Sequence, residues 1–161
     1  MLAAARGHSD VVNLLLESGA DPNRGSEADG SPMILAAKGG HISLMQALVE
    51  RGADVDKSVD GDGNPLIMAA KYGQLDMVKY LVSKGAEIDI YVMNDETPLI
   101  RAAWSGHLEV VKYLVSKGAD VNKAVRDSYN LNSEIRSPLS MARRGKHQEV
   151  VDFLISAGAK K

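Results

Sequence analysis

The apolar and polar positions fall into short blocks with a helical period. Met77, Val78, Leu81 and Val82 form an i, i+1, i+4, i+5 stripe, and Val110, Val111, Leu114 and Val115 form the same stripe again further on. Such a stripe covers one face of a helix and leaves the other to polar residues. Asp10, Asp76, Glu109 and Glu149 open these segments, favourable at the positive end of a helix dipole. Lys84-Gly85 and Lys117-Gly118 close two of them, as suits a left-handed C-cap. Upstream of each stripe lies a second block of small and apolar residues, such as Pro65-Leu66-Ile67-Met68-Ala69-Ala70. Proline directly after Ser31, Asn64, Thr97 or Ser137 marks a helix start, where its missing N–H costs nothing. The pattern predicts pairs of short helices joined by turns, with alanines that let neighbouring helices approach closely.

The pairs recur. The four Ser/Thr/Asn-Pro steps fall at spacings of 33, 33 and 40, and Gly19, Gly52, Gly85, Gly118 and Gly158 at spacings of 33, 33, 33 and 40. All four histidines (His8, His41, His107 and His147) hold one repeat position, filled by Gln74 in the remaining unit. The units are 1–30 (partial), 31–63, 64–96, 97–136 and 137–161, and the fourth carries a seven-residue insertion. A fixed period of this length marks stacked units sharing a continuous core.

The segment Thr97-Pro98-Leu99-Ile100-Arg101-Ala102-Ala103-Trp104-Ser105-Gly106-His107-Leu108-Glu109-Val110-Val111, followed by Gly118-Ala119-Asp120-Val121-Asn122, closely resembles the ankyrin repeat. The resemblance covers the whole chain in five registered copies. It implies an all-α solenoid of helix-turn-helix units joined by short β-hairpin-like turns, and a non-catalytic module that binds proteins. The chain departs from the family pattern at the histidine after Thr-Pro-Leu, replaced by Ile34, Ile67, Ile100 and Ser140. It departs again in the turn, where Val-x-x-Asp, as in Val59-Asp60-Gly61-Asp62, stands for Asp-x-x-Gly.

Composition narrows the function classes. The 161 residues are 45% apolar and 25% charged, the balance of a globular chain, and the net charge of −2 lacks the overall basic footprint of a nucleic-acid binder. With no cysteine there is no disulfide, thiolate metal site or cysteine nucleophile. No apolar run approaches the ~20 residues of a membrane helix, and Met1-Leu2-Ala3-Ala4-Ala5-Arg6 is no signal peptide. The compartment stays open, with the cytoplasm as default and the periplasm or extracellular space an alternative for the tail of a membrane protein. The histidines should form a ladder, one per layer, each satisfying local backbone groups rather than a metal. Gly61-Asp62-Gly63 lacks the ligands of a calcium hand, and Gly39-Gly40 heads no phosphate-binding motif. No catalytic residue, metal or cofactor is expected.

Positions that vary while the grid holds are candidates for recognition. Leu35 and Lys38, Met68 with Lys71 and Tyr72, Arg101 with Trp104 and Ser105, and Met141 with Arg144 share one face of successive first helices. The resemblance implies that this face lines a concave groove, basic through Lys38, Lys71, Arg101 and Arg144. Arg101 is also positioned to stack on Trp104. The turns are acidic: Glu27 and Asp29, Asp60 and Asp62, Asp95 and Glu96. A groove site centred on Trp104, Arg101, Tyr72 and Lys71 is expected to bind a protein or peptide with an acidic segment. Asp60, Asp62, Met93, Asn94, Glu96, Arg126, Tyr129 and Leu131 are expected to contribute from the hairpin tips. A functional finger and a tolerated insertion are both open readings of 126–136.

The ends differ. Ser140, Arg143 and Gln148 replace apolar residues of the inner units, as a C-terminal cap would need. The first unit lacks its opening turn, which is the expectation for the C-terminal part of a longer chain. The phrasing Pro-Leu-Ile-Met-Ala-Ala and the long last hairpin are similar to ankyrin tails of bacterial antirepressor-type membrane metallopeptidases, whose zinc motif is not in these residues. A regulatory tail of such an enzyme, and a scaffolding or designed array, are the alternatives to a monomeric recognition module. A small-molecule or nucleic-acid site is a further one, and it predicts salt-dependent binding to polyanions.

Overall fold

The computed structural model of the chain describes residues 1–25, 30–59, 61–92, 96–126 and 135–160. Ten helices occupy them, in five consecutive pairs. The pairs are α1 (Leu2–Ala5) with α2 (Ser9–Glu17), α3 (Pro32–Gly39) with α4 (Ile42–Glu50) and α5 (Pro65–Lys71) with α6 (Leu75–Ser83). They continue as α7 (Pro98–Ser105) with α8 (Leu108–Ser116) and α9 (Pro138–Arg144) with α10 (Gln148–Ser156). This is the all-α repeat solenoid that the spacing predicts.

Each first helix from α3 onward begins as its sequence requires. The side chains of Ser31, Asn64, Thr97 and Ser137 accept the N–H of Ile34, Ile67, Ile100 and Ser140, with proline at the first turn. Ser140 also returns a bond, its hydroxyl accepting the Ser137 N–H at 2.9 Å. That capping box explains why a serine stands where the other units carry isoleucine.

The first helices form an inner layer, α1 on α3, α3 on α5, α5 on α7 and α7 on α9. Their contact faces are alanines: Ala36, Ala37, Ala69, Ala70, Ala102, Ala103 and Ala142 are fully buried. A side chain of one methyl group lets helix backbones approach, and the second helices pack more loosely outside them. Leu44, Leu48, Met77, Leu81, Val111, Leu114, Val150 and Leu154 carry the core through that outer layer.

The layers are also stitched by polar ladders. Nε2–H of His107 donates to the Lys71 carbonyl at 3.0 Å, and His147 does the same to Trp104 at 2.9 Å. His41 and Gln74 reach back to the carbonyls of Ala5 and Lys38 at 3.4 and 3.5 Å. Each bond joins a unit to the end of the preceding first helix, whose last carbonyls lack helical partners. A second ladder runs forward: Asn23, Asp56, Asp89 and Asn122 accept the N–H of Asp54, Glu87, Asp120 and Lys160 in the next unit.

The turns carry the length difference. An antiparallel bridge joins Val59 to Gly63, and another joins Val125 to Arg136. The inserted length therefore lies inside the fourth hairpin, between the two residues of its bridge. The contact of α7 with α9 across it is kept, like that of α5 with α7 in the unit before.

Candidate functional site

The face shared by the first helices carries the predicted groove residues. Ile34, Leu35 and Met68 floor a cavity of about 510 Å³ whose walls include Lys38, Lys71 and Tyr72, with Asp62 at its hairpin rim. Met68 is 6% exposed and serves as floor, whereas Tyr72 is 40% exposed. Lys38 Nζ lies 5.5 Å from the Tyr72 ring centroid, and Lys71 Nζ lies 5.6 Å from it. Two ammonium groups from successive units therefore lean on one phenol ring. Neither lysine has an acidic partner among the described residues.

One layer further along, Trp104 is half-buried and has a packing reason for its place. Its ring joins a satellite cluster with Ile100, Val125 and Met141, drawn from helix α7, the hairpin base and helix α9. The cation over the ring is Arg144, 5.1 Å from its centroid. The sequence points instead to a stack with Arg101, one turn away on the same helix. Arg101 is drawn to Glu96, Nε to Oε2 at 3.3 Å. Ser105 closes helix α7 beside them, half-buried.

Glu96 corrects a second expectation. Placed by its sequence position at a hairpin tip, it is 2% exposed and lies between two guanidinium groups. Arg136 Nη1 donates to Glu96 Oε1 at 3.0 Å while Arg101 faces the other oxygen. Burying a carboxylate is costly unless it is paired, so the ion triad fixes Glu96 inside and takes it out of reach of a partner. Arg136 also bonds Val125 in both directions, so the triad ties the long hairpin at its base to the preceding unit. Sequence reasoning missed Arg136. The available signal was one repeat position, just before the N-cap, read across units: Gly30, Gly63, Glu96, Arg136. Opposite charges in adjacent layers at one repeat position are placed to meet.

Of the tip residues, Asp62 is half-exposed and Arg126 exposed. Glu27, Asp29, Asp60, Met93, Asn94, Asp95, Tyr129 and Leu131 lie outside the described residues. His41, His107 and His147 take the ladder role, since a carbonyl only accepts and their Nε2 must carry the proton. Among the described residues no group of three or more His, Asp or Glu side chains is arranged to hold a metal, and no helix is long and apolar enough to cross a membrane.

The family description "Ankyrin repeats (3 copies)" matches residues 1–92 and 62–125. No curated protein matches the chain. Ankyrin repeats are in general protein–protein interaction modules without catalytic activity. Paired helices stacked by alanine faces and stitched once per unit carry the same register through the matched region and beyond it, and the chain belongs to the ankyrin repeat family.

Proposed function

We propose that the chain is a non-catalytic recognition module that binds a protein or peptide along the face of helices α3, α5, α7 and α9. The groove residues are Lys38, Met68, Lys71, Tyr72, Arg101, Trp104, Ser105 and Arg144. Of the residues assigned to hairpin tips by sequence position, Asp62 and Arg126 contribute from the described part of the chain, and Asp60, Met93, Asn94, Tyr129 and Leu131 are included on sequence position alone. The observation that carries this reading is the exposed Tyr72 between two lysines that lack an acidic partner among the described residues, above the apolar floor of Leu35 and Met68. Aromatic rings beside cations on an apolar base are the surfaces that dominate binding energy in protein interfaces. Trp104 carries less of the weight than its sequence position implies, because packing on Val125 and Met141 already covers part of its ring.

Affinity capture with matched baits tests this. Tyr72→Ala should lose the partner retained by the parent chain, whereas Arg51→Ala, on the outer surface in an exposed pair with Glu17, should keep it. Equal recovery by Tyr72→Ala and the parent chain would rule the groove out.

A further inference from the structure

The geometry points to a carboxylate-selective subsite at one layer of the groove: Lys38 and Lys71 together receive a single Asp or Glu side chain of the partner peptide, and an apolar residue next to it sits on Leu35 and Met68. This rests on the groove reading and narrows it to one ligand chemistry.

The charge arrangement is the main ground. Other ring–cation contacts among the described residues pair one cation with one ring: Lys84 with Tyr80, Lys117 with Tyr113, Arg144 with Trp104. Tyr72 alone among these has two, one from its own helix and one from the helix before it. A ring quadrupole attracts a cation but carries no net charge, so both ammonium groups line the same cavity with no ion-pair partner among the described residues. A carboxylate entering that cavity offers two oxygens, one to accept a hydrogen bond from each ammonium group, and supplies the charge that both lack. Elsewhere in the same face Arg101 already has this compensation internally, from Glu96.

The surroundings set the rest of the preference. Leu35 is half-buried and Met68 nearly fully so, which leaves an apolar seat beside the lysines. Asp62 stands on the hairpin side of the same cavity, its Oδ2 turned toward Gly30, 3.4 Å from where a Cβ on that glycine would lie. A second acid on the peptide would meet that carboxylate. The subsite therefore selects one acid flanked by an apolar residue, and disfavours an acidic run or a polyanion.

Selection of randomised displayed peptides on the full chain, followed by anisotropy titration of the synthesised winners, tests this. The winners should carry Asp or Glu beside Leu, Ile or Met. Affinity should fall about tenfold or more in Lys38→Ala/Lys71→Ala, and equally when the peptide's acid is replaced by its amide. The two losses should not add when combined, because each removes the same contact. Additive losses, winners without an acid, or no winners overturn the subsite. Winners indifferent to the lysines but lost in Trp104→Ala/Arg144→Ala overturn it while sparing the groove. Winners indifferent to both pairs overturn the two readings together.

Discussion

Single residues in this chain are constrained by what the next unit places over them. Gly106 has φ +76°, and a Cβ there would lie 2.3 Å from the His147 ring. Gly118 has φ +94° with nothing within 4 Å of the same atom. Gly118→Ala should therefore cost only the left-handed penalty of about 1–2 kcal/mol. Gly106→Ala should cost clearly more, since the ring must also move and loosen its bond to the Trp104 carbonyl. Urea titration of the two variants checks the order, and equal losses would refute the ring contact. Lys146 holds the position equivalent to Gly106 at φ +60°, the one non-glycine with positive φ among the described residues. Glu96 is a residue whose neighbours compel its identity. Glu96→Gln should destabilise by about 3 kcal/mol, the low end for breaking a buried pair, because Arg101 and Arg136 are partly exposed and rehydrate. A loss below about 1 kcal/mol in the same titration would mean that the triad is not a structural clamp.

At the scale of elements, the forward ladder couples each loop to the next and gives the stack a pH dependence. Burial pushes the Asp56 carboxyl above its ordinary value of 3.8; the Glu87 N–H opposes this, while the charges of Asp54 and Glu87 add to it. A carboxyl that holds its proton more tightly folded than unfolded stabilises the fold when protonated. Its contribution falls as pH rises from the unfolded value through the raised folded one, and is level above. The equivalent Asn23 and Asn122 show the alternative: each accepts an N–H and also donates to the carbonyl of Gly52 or Gly158. Asp56→Asn should thus stabilise at neutral pH by about 0.5–1 kcal/mol, the value of one added hydrogen bond. That advantage should shrink as the medium is acidified toward the ordinary carboxyl range, in thermal melts of both proteins. An advantage that grows on acidification would refute the burial argument. Helix positions, caps and the histidine ladder were legible in the sequence because each is a local rule repeated at a fixed spacing. The Glu96–Arg136 tie and the Arg144–Trp104 stack were only half legible: each joins one repeat position in adjacent units, but repeat position alone does not say which side chains turn toward each other. The seat of Trp104 on Val125 was hidden, since the hairpin base reaches it only in three dimensions. The lysine pair at Tyr72 was half legible: the shared face could be read, but not the convergence of both cations on one ring.

For the molecule as a whole, stability is distributed along a line rather than around a centre. Each inner helix pair has two neighbours and each terminal pair has one. The terminal pairs also differ. Arg143 is exposed on α9, where the equivalent inner alanines Ala37, Ala70 and Ala103 are fully buried, and Gln148 is exposed on α10, where Ile42, Leu75 and Leu108 are half-buried. At the other end Leu2, Leu14 and Leu15 are 67%, 63% and 49% exposed, and the short helix α1 has no side-chain cap. We propose that residues 137–161 cap the array in a way that α1 and α2 do not. Amide hydrogen exchange should then run in the order of neighbours and caps, fastest in α1 and α2, intermediate in α9 and α10, and slowest in α5 to α8. The nearest-neighbour argument also predicts how a core defect spreads. Leu114 is fully buried in α8, so Leu114→Ala should cost about 2–5 kcal/mol, whereas Leu14→Ala, at an exposed site, should cost little. Because the defect sits in the unit next to the last, it should lower protection in α9 and α10 along with α8, and leave α3 and α4 nearly unchanged. Urea unfolding of Leu114→Ala should broaden or split as the last units separate from the first, since coupling passes only through the weakened layer. A uniform loss of protection with one sharp transition would mean that the five pairs unfold as a single block, and that the line of neighbours is not what sets stability.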